Sequence, residues 1–291
     1  MKKWSRERLG ATGDFDCIPT IGSKEIIAWL PTLLQSKSVL YPEIAYPTYL
    51  VGAIMAGAEH QSVAIDPTLW PAADLAWINS PSNPSGHVQS AAQLRTVLDY
   101  ARRTGTIIAS DECYISFPGV ATRPLSIFEV ADGNNKNILA VQSLSKRSNL
   151  AGYRAAFIVG DTELIARILE IRKHAGMMMP LPVQRAMTVA LADEFHVTEQ
   201  AERYRTRRSL LKSAIESQGF RVDHSDAGLY LWATRGESDW ESVRWFAQLG
   251  VLATPGHFYG PAGDHHVRLA LTATDAEIAT AAERISSFTS K

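Results

Sequence analysis

The sequence predicts an α/β fold: a large domain with a mostly parallel sheet, followed by a smaller C-terminal α+β domain. Three observations support this. Short apolar runs alternate with helical segments in the first part of the chain, as in βαβ units. The character changes after Pro180 and Pro182, where a long helical stretch begins. A chain of 291 residues is also long enough for one large core or two moderate ones. We therefore expect a large domain over residues 1–178 and a small one over 179–291.

The elements of the large domain follow from hydrophobic periodicity. A first helix is predicted over residues 24–34, after the turn at Gly22-Ser23. Five apolar runs are interpreted as buried strands: 63–65, 75–78, 106–109, 138–141 and 155–159. Apolar residues at helical spacing predict helices over 91–103 and 162–174.

The small domain is predicted in the same way. Its elements are a long helical stretch over 183–218 with a possible break near His196, a strand over 229–233, a helix over 240–249, a strand over 267–271 and a closing helix over 275–288.

Composition excludes several classes of function. Lys and Arg number 29 against 30 Asp and Glu, so charge gives no reason to expect nucleic acid or an anionic membrane as a partner. The polar N-terminus does not resemble a signal peptide, and no apolar run is long enough to span a membrane. Cys17 and Cys113 suggest neither a disulfide framework nor a metal site. We expect a cytoplasmic protein.

Histidines do not change this expectation. The spacing of His257, His265 and His266 fits no familiar zinc site. No metal site is predicted.

Lys146 is the residue that most constrains the function. It ends the segment Ser143-Leu144-Ser145-Lys146, directly after the predicted strand 138–141. A lysine in that place is ordinarily solvated, but polar loops also follow the strands ending at Ile78 and Ala109. Ligands of α/β sheets bind outside the carboxyl ends of parallel strands, so these loops should meet at one edge. Their side chains supply what a Schiff-base lysine needs.

Four motifs resemble those of the fold-type I, class I/II aminotransferases. They are Asn-Pro-x-Gly at 83–86, Asp-x-x-Tyr at 111–114, Ser-x-x-Lys at 143–146 and Gly-x-Arg at 152–154. The resemblance covers nearly the whole chain and keeps the order of the family's motifs. It implies pyridoxal 5′-phosphate (PLP) as cofactor, small amino-acid and keto-acid substrates, and a homodimer.

The resemblance also implies catalytic roles. Lys146 would bind the cofactor covalently and then move a proton between the substrate and the cofactor. Asp111 would pair with the pyridine nitrogen, although an aspartate at this place could simply cap a helix. Asn83 and Tyr114 would hydrogen-bond the phenolic oxygen; a turn asparagine and a packed tyrosine are the alternatives.

The phosphate group would be held where a helix begins. Gly22, Ser23 and Lys24 open the first helix, whose free N–H groups favour an anion. Ser143 would add a hydroxyl group and Arg154 a bidentate cation. Gly-Ser before a helix is also a common cap, and the Lys24 side chain is equally compatible with solvent exposure.

Two further residues complete the predicted site. Tyr46 matches the position whose ring stacks on the pyridine, with a core aromatic as the alternative. Arg268 matches the arginine that binds the substrate α-carboxylate through paired hydrogen bonds, and Asn83 is expected to contact the substrate as well. An arginine between apolar strand neighbours needs a partner, which favours a functional role.

The substrate is suggested by resemblance alone. Residues 18–25, 41–49 and 110–114 resemble the actinobacterial succinyldiaminopimelate aminotransferases of lysine and diaminopimelate biosynthesis. This implies transfer of an amino group from glutamate to N-succinyl-2-amino-6-oxopimelate, with 2-oxoglutarate as the co-product. Three alternatives stay open: another class I/II aminotransferase of aspartate or aromatic type, a PLP-dependent C–S lyase, and a PLP-binding regulatory domain without turnover.

The resemblance is incomplete at the N-terminus. Family members usually carry some tens of residues before the segment that corresponds to 4–10, including an arm and a loop that closes over substrate. No such segment is recognisable here. We expect its absence to affect substrate closure and dimer stability rather than the cofactor site.

Overall fold

The computed structural model describes residues 1–119 and 123–289, and its largest element is a seven-stranded sheet. The strands are β1 (Asp16–Ile21), β2 (Ser38–Pro42), β3 (Glu59–Val63), β4 (Leu75–Asn79), β5 (Ile107–Asp111), β6 (Ile138–Ser143) and β7 (Ala155–Gly160). Their spatial order is β1-β7-β6-β5-β4-β2-β3. The pairs among β2 to β6 are parallel, and β7 is antiparallel to β6 and to β1. The predicted α/β fold with a mostly parallel sheet is confirmed.

Helices cover both faces of this sheet. They are α1 (Lys2–Arg8), α2 (Ser23–Leu34), α3 (Thr48–Met55), α4 (Ala91–Thr104), α5 (Phe128–Ala131), α6 (Leu144–Arg147), α7 (Thr162–His174) and α8 (Leu181–Ala192). Successive residues of β4 enter different cores: Trp77 packs in the cluster with α2, α3 and α7, whereas Ile78 packs in the cluster with α1, α4 and α5. A strand covered on both faces is apolar throughout, which is why β4 to β7 read as continuous apolar runs.

Local signals fix the ends of two well-predicted helices. Ser90 and Gln93 form a capping box at the start of α4, and Gly105 ends that helix with a positive φ of 77°. The Asp161 side chain accepts hydrogen bonds from the first N–H groups of α7.

The C-terminal part contains a four-stranded antiparallel sheet flanked by helices. Its elements are α9 (Phe195–Glu216), β8 (Arg221–Val222), β9 (Tyr230–Thr234), α10 (Asp239–Gln248), β10 (Thr254–Pro255), β11 (Val267–Ala270) and α11 (Asp275–Ser286), with strand order β10-β11-β9-β8. Met187 and Leu191 of α8 pack with Trp4 and Phe157 in the core of the large sheet. The division at residue 178 remains a proposal.

Some predicted elements need correction. The strand predicted at 63–65 lies at Glu59–Val63, an edge strand whose exposed polar residues conceal it from a search for apolar runs. The strands β1 and β2 and the helices α1 and α3 were not predicted. The long helical stretch breaks at residues 193–194, close to the predicted His196. Among the described residues, no helix combines the length and the apolar character needed to cross a membrane.

Candidate active site

A cavity of about 210 Å³ lies at the carboxyl ends of β5 and β6 and extends to the small sheet. All predicted site residues except Gly22 line this cavity: Ser23, Lys24, Tyr46, Asn83, Asp111, Tyr114, Ser143, Lys146, Arg154 and Arg268. Gly22, the remaining predicted residue, is the N-cap of α2 beside Ser23. The parallel strands therefore bring together loops that are far apart in the sequence, as expected.

Asp111 lies at the end of β5 and is almost fully buried, with 4% of its surface exposed. Its Oδ2 accepts a hydrogen bond from the Tyr49 hydroxyl at 2.8 Å, and its Oδ1 accepts one from the Cys113 N–H at 3.1 Å. Burial raises the pKa of this carboxyl group, while the two hydrogen bonds and the charge of Lys146 act in the opposite direction. A cationic partner would favour the ionised form.

Lys146 is held by a short helix. The Ser143 hydroxyl accepts a hydrogen bond from the Ser145 N–H at 3.2 Å and so caps α6. The next residue, Arg147, is buried and donates hydrogen bonds to the Ala190 carbonyl at 2.8 Å and the Glu194 carboxylate at 2.6 Å. These contacts of Arg147 hold α6 against the protein core. The position of the Lys146 backbone is therefore fixed.

A corner with a free helix start and a guanidinium forms where α2 begins. Gly22 has a φ of 78°, and a Cβ at this position would lie 2.1 Å from an Nη of Arg154. Only glycine combines this backbone angle with such a close approach. Arg154 has a φ of 54° and donates to the Ala151 carbonyl at 2.9 Å. The corner thus presents N–H groups at a helix start and a guanidinium, with Ser143 on the cavity wall.

Arg268 connects the four-stranded sheet to the loop of residues 80–86, the Asn83 loop. One Nη donates a hydrogen bond to Asn83 Oδ1 at 2.9 Å, while its Nε is buried without a partner among the described residues. The guanidinium lies 4.1 Å from the ring centroid of Tyr230 and 5.1 Å from that of Tyr259. The aromatic rings orient the guanidinium and leave donor capacity for an anionic ligand.

The remaining predicted residues form the wall of the cavity. The Tyr114 hydroxyl lies 3.1 Å from that of Tyr230, and burial raises the pKa of Tyr114 well above its usual value. Lys24 places Nζ 5.7 Å from the ring centroid of Tyr46, so its side chain leans over the cavity although the residue is exposed.

Two positioning residues were not identified from the sequence. Tyr49 is fully buried and holds the Asp111 carboxylate. Asn79 donates from Nδ2 to the Asp111 carbonyl at 2.8 Å and accepts from the Asn83 N–H at 2.7 Å, so it ties the two loops together. Because Asn79 directly follows the apolar run 75–78, it could have been identified from the sequence as a candidate site residue.

The donors present fit pyridoxal phosphate. Asp111 offers a buried carboxylate without a cationic hydrogen-bond partner in the described residues, as a pyridinium nitrogen requires. Lys146 lines the same cavity, and the corner at Gly22 and Arg154 suits a phosphate. These assignments remain predictions of role; the proximity of the side chains is observed.

Comparisons with known proteins agree with this geometry. The aminotransferase class I and II family model matches residues 15–285. A probable aminotransferase of Mycobacterium tuberculosis is 52% identical over 92% of this chain, and the chain spans 65% of that protein. The 4-dedimethylamino-4-oxo-anhydrotetracycline transaminase of Streptomyces rimosus is 49% identical over 97% of this chain and 80% of its own length.

A solved structure shows the same fold. A probable N-succinyldiaminopimelate aminotransferase of Thermus thermophilus superposes with a TM-score of 0.89, covering 98% of this chain and 81% of that chain at 28% identity. An LL-diaminopimelate aminotransferase of Aquifex aeolicus is 31% identical over 97% of this chain and 78% of its own length.

Proposed function

Since the chain belongs to the aminotransferase class I and II family, which uses pyridoxal phosphate, we propose that it transfers amino groups between small amino acids and keto acids. The observation that carries the proposal is the presence of Lys146 and the buried Asp111 in one cavity. A buried carboxyl group without a cationic hydrogen-bond partner among the described residues, in one cavity with a lysine, is the pair that such a cofactor requires.

Each side chain has a role in this proposal. Bound PLP supplies an electron sink for the negative charge that develops at the substrate carbon. Lys146 holds the cofactor and carries the proton between the reacting carbon atoms. Asp111 stabilises positive charge on the ring nitrogen because it is a buried carboxylate kept in place by Tyr49. Tyr46, which lines the cavity, would lie against the cofactor ring and exclude water.

The other residues bind and orient. Asn83 and Tyr114 are assigned to the phenolic oxygen, and Gly22, Ser23, Lys24, Ser143 and Arg154 to the phosphate. Arg268 binds the α-carboxylate of the substrate: its Nε has no partner among the described residues, and Asn83 and two rings hold its guanidinium.

We propose N-succinyl-2-amino-6-oxopimelate as the amino acceptor and glutamate as the donor. The similarity to the Thermus thermophilus protein and the resemblance of residues 18–25 and 41–49 support this choice. A second candidate is a polycyclic ketone, because the transaminase of Streptomyces rimosus, named for an oxo-anhydrotetracycline, is 49% identical. A homodimer is proposed from the family resemblance, and a cytoplasmic location from Cys17 and Cys113, which suggest no disulfide framework.

The two acceptors can be compared directly. PLP-loaded protein is incubated with glutamate and either ketone, and formation of 2-oxoglutarate and the aminated product is followed. We expect turnover with the succinylated acceptor and, in both assays, none in Lys146→Arg, which keeps the charge but has no primary amine to hold the cofactor. Turnover with the polycyclic ketone alone would replace the substrate assignment. Turnover by Lys146→Arg at the wild-type rate would contradict the mechanism.

A further inference from the structure

A cluster of metal-binding side chains lies outside the proposed active site. His87 follows the Asn83 loop of the large domain, and His224 and Asp226 belong to the connection between β8 and β9. One donor atom of each residue lies within 4.8 Å of the others. The residues are far apart in the sequence, so only the fold brings them together.

The geometry of the cluster is close to that of a metal site. His87 Nδ1 and Asp226 Oδ2 are 3.7 Å apart, and the rings of His87 and His224 have centroids 4.7 Å apart and cross at 63°. Zinc–nitrogen bonds of about 2.1 Å in a tetrahedron place neighbouring ligand atoms roughly 3.4 Å apart. Small side-chain rotations would close the cluster around one ion.

His87 lacks the partners that a structural histidine normally has. Both ring nitrogens are buried, and neither has a hydrogen-bond partner in the part of the chain that the structure describes. A neutral imidazole carries one donor and one acceptor, and buried polar groups are nearly always paired. The His224 ring and the Asp226 carboxylate lie beside the His87 ring. A bound cation would use the acceptor nitrogen and the carboxylate charge at once.

The backbone also presents His224 in an unusual way. His224 and Ser225 have φ angles of 54° and 59°, a left-handed conformation that non-glycine residues adopt rarely. This turn holds the exposed His224 ring against the ring of His87. A conformation of this cost is common where a side chain must be held for binding.

We propose that His87, His224 and Asp226 bind a divalent transition-metal ion of the zinc class. Two imidazoles and one carboxylate suit such an ion, whereas Mg²⁺ and Ca²⁺ prefer oxygen ligands throughout. Three protein ligands leave one position for water. His87 and His224 also line a cavity of about 220 Å³ with apolar walls that include Trp70 and Trp77, and that position can open toward it.

The ion would join the Asn83 loop to the connection between β8 and β9. The Ser225 N–H donates to the Ser85 carbonyl at 2.8 Å, and the Ala227 N–H donates to the Gly86 carbonyl at 3.1 Å. These hydrogen bonds join the same two segments that the ion would bridge. Because Asn83 in this loop accepts the hydrogen bond from Arg268, the ion would stabilise the arrangement of the substrate-binding residues.

Calorimetric titration of the PLP-loaded protein with Zn²⁺ tests the proposal. We expect saturable binding of one ion per chain, and an affinity lower by more than about tenfold in His224→Asn, since loss of an outer-shell partner alone can cost that much. Asparagine tolerates the left-handed backbone at this exposed position, so the variant should fold normally. His174→Asn, which replaces an exposed histidine of α7, is the matched control and should bind as the wild type does.

A second variant and a second probe separate this site from incidental zinc binding. Asp226→Asn keeps the shape of the side chain and removes its charge, so it should weaken binding as well. Co²⁺ should give the visible absorption of a tetrahedral complex in the wild type and lose it in His224→Asn. Equal affinity of all four proteins for Zn²⁺, or no binding by the wild type, would overturn the proposal without affecting the proposed transaminase activity.

Discussion

At the scale of single residues, the state of Asp111 depends on two neighbours that carry no charge. Burial disfavours its ionised form, and the Tyr49 hydroxyl and the Cys113 N–H favour it. In the proposed function Asp111 faces a pyridinium and needs this support, because a protonated Asp111 would lose the attraction. Tyr49 would then act on the cofactor through Asp111, without a role in the chemistry itself.

Tyr49→Phe should weaken PLP binding by roughly 10-fold to 100-fold, because a hydrogen bond to a charged acceptor contributes about 1.5–3 kcal/mol. Phenylalanine fills the same space beside Trp77, whose ring stacks on Tyr49. PLP affinity is measured by titrating the apoprotein. Tyr100→Phe, which removes another hydroxyl that donates to a backbone carbonyl far from the cavity, should leave the affinity unchanged. If both variants bind PLP like the wild type, Tyr49 does not support Asp111.

Arg268→Lys should raise the KM for glutamate by roughly 10-fold to 100-fold, because lysine keeps the charge but cannot form paired hydrogen bonds. PLP binding should be unaffected, since no cofactor contact is assigned to Arg268. Steady-state kinetics with glutamate measures the effect. Arg235→Lys, which alters an arginine paired with Glu237 outside the cavity, serves as control. An unchanged KM in Arg268→Lys would remove this residue from the substrate site.

At the scale of elements, a second buried carboxyl group fastens β5 to the helix α5. Glu112 is 1% exposed, and its Oε1 accepts hydrogen bonds from the Ile127 N–H at 2.9 Å and the Ser126 hydroxyl at 3.1 Å. The Gln142 amide donates to Oε2 at 2.8 Å. Burial, only partly offset by these bonds, raises the pKa of Glu112 to about 7. The residue beside Asp111 thus titrates near neutral pH.

This pKa predicts a pH dependence of stability. A carboxyl group with a raised pKa in the folded state contributes stability that is fully present below its unfolded pKa and is lost as pH rises through its folded pKa. The free energy of unfolding should therefore fall between pH 4.5 and about 7, with roughly 3 kcal/mol at most from Glu112. Glu112→Gln, which cannot titrate, should remove this part of the slope.

Urea unfolding at pH 5 and pH 8 measures the effect in the wild type and the variant. The exposed Glu59→Gln is the matched control and should keep the wild-type slope. Glutamine retains the acceptor for Ser126 and Ile127, while Gln142 has to turn its amide to face the new amide group. Parallel pH profiles for wild type and Glu112→Gln would contradict the raised pKa.

Elements were predictable where one physical signal dominated. The buried strands β4 to β7 and the capped helices α4 and α7 follow directly from apolar runs and from Ser90, Gly105 and Asp161. The edge strand β3 was misplaced because a strand exposed to solvent carries no apolar signature. The antiparallel direction of β7 is set by its pairing with β6 and not by its apolar run. Too few residues separate the two strands for the crossover connection that parallel strands need.

The residues of the candidate site, like the elements, were predictable only where one signal dominated. Asp111, Lys146 and Arg154 were found from motifs because their residue types are chemically demanding. Tyr49 was missed because its role depends on a distance between two segments, and an aromatic residue near a helix start is usually core. The pairing of His87 with His224 likewise depends on how the connection between β8 and β9 lies against the Asn83 loop.

At the scale of the whole molecule, the candidate site is built by both sheets. Asp111, Ser143 and Lys146 come from the large sheet and its loops, whereas Tyr230 and Arg268 come from the small one. The contact between Arg268 and Asn83 crosses between the two parts. A ligand in this cavity touches both, so its binding energy stabilises their association as well as each part.

Pyridoxal phosphate at about 100 times its dissociation constant should therefore raise the melting temperature by roughly 5–10 °C, because such saturation adds about 2.7 kcal/mol to a protein of this size class. Differential scanning calorimetry of the apoprotein with and without PLP measures the shift. Because the ligand contacts both sheets, the two parts should melt in one transition that moves as a whole.

Two controls test the role of the phosphate group. Pyridoxal without phosphate at the same concentration should shift the transition less, because the corner at Gly22 then has no anion to bind. PLP added to Arg154→Gln should also shift it less, because that corner then lacks its guanidinium. A PLP-induced shift of equal size in Arg154→Gln would mean that the phosphate lies elsewhere, and separate transitions of which only one moves would mean that the ligand contacts a single part of the molecule.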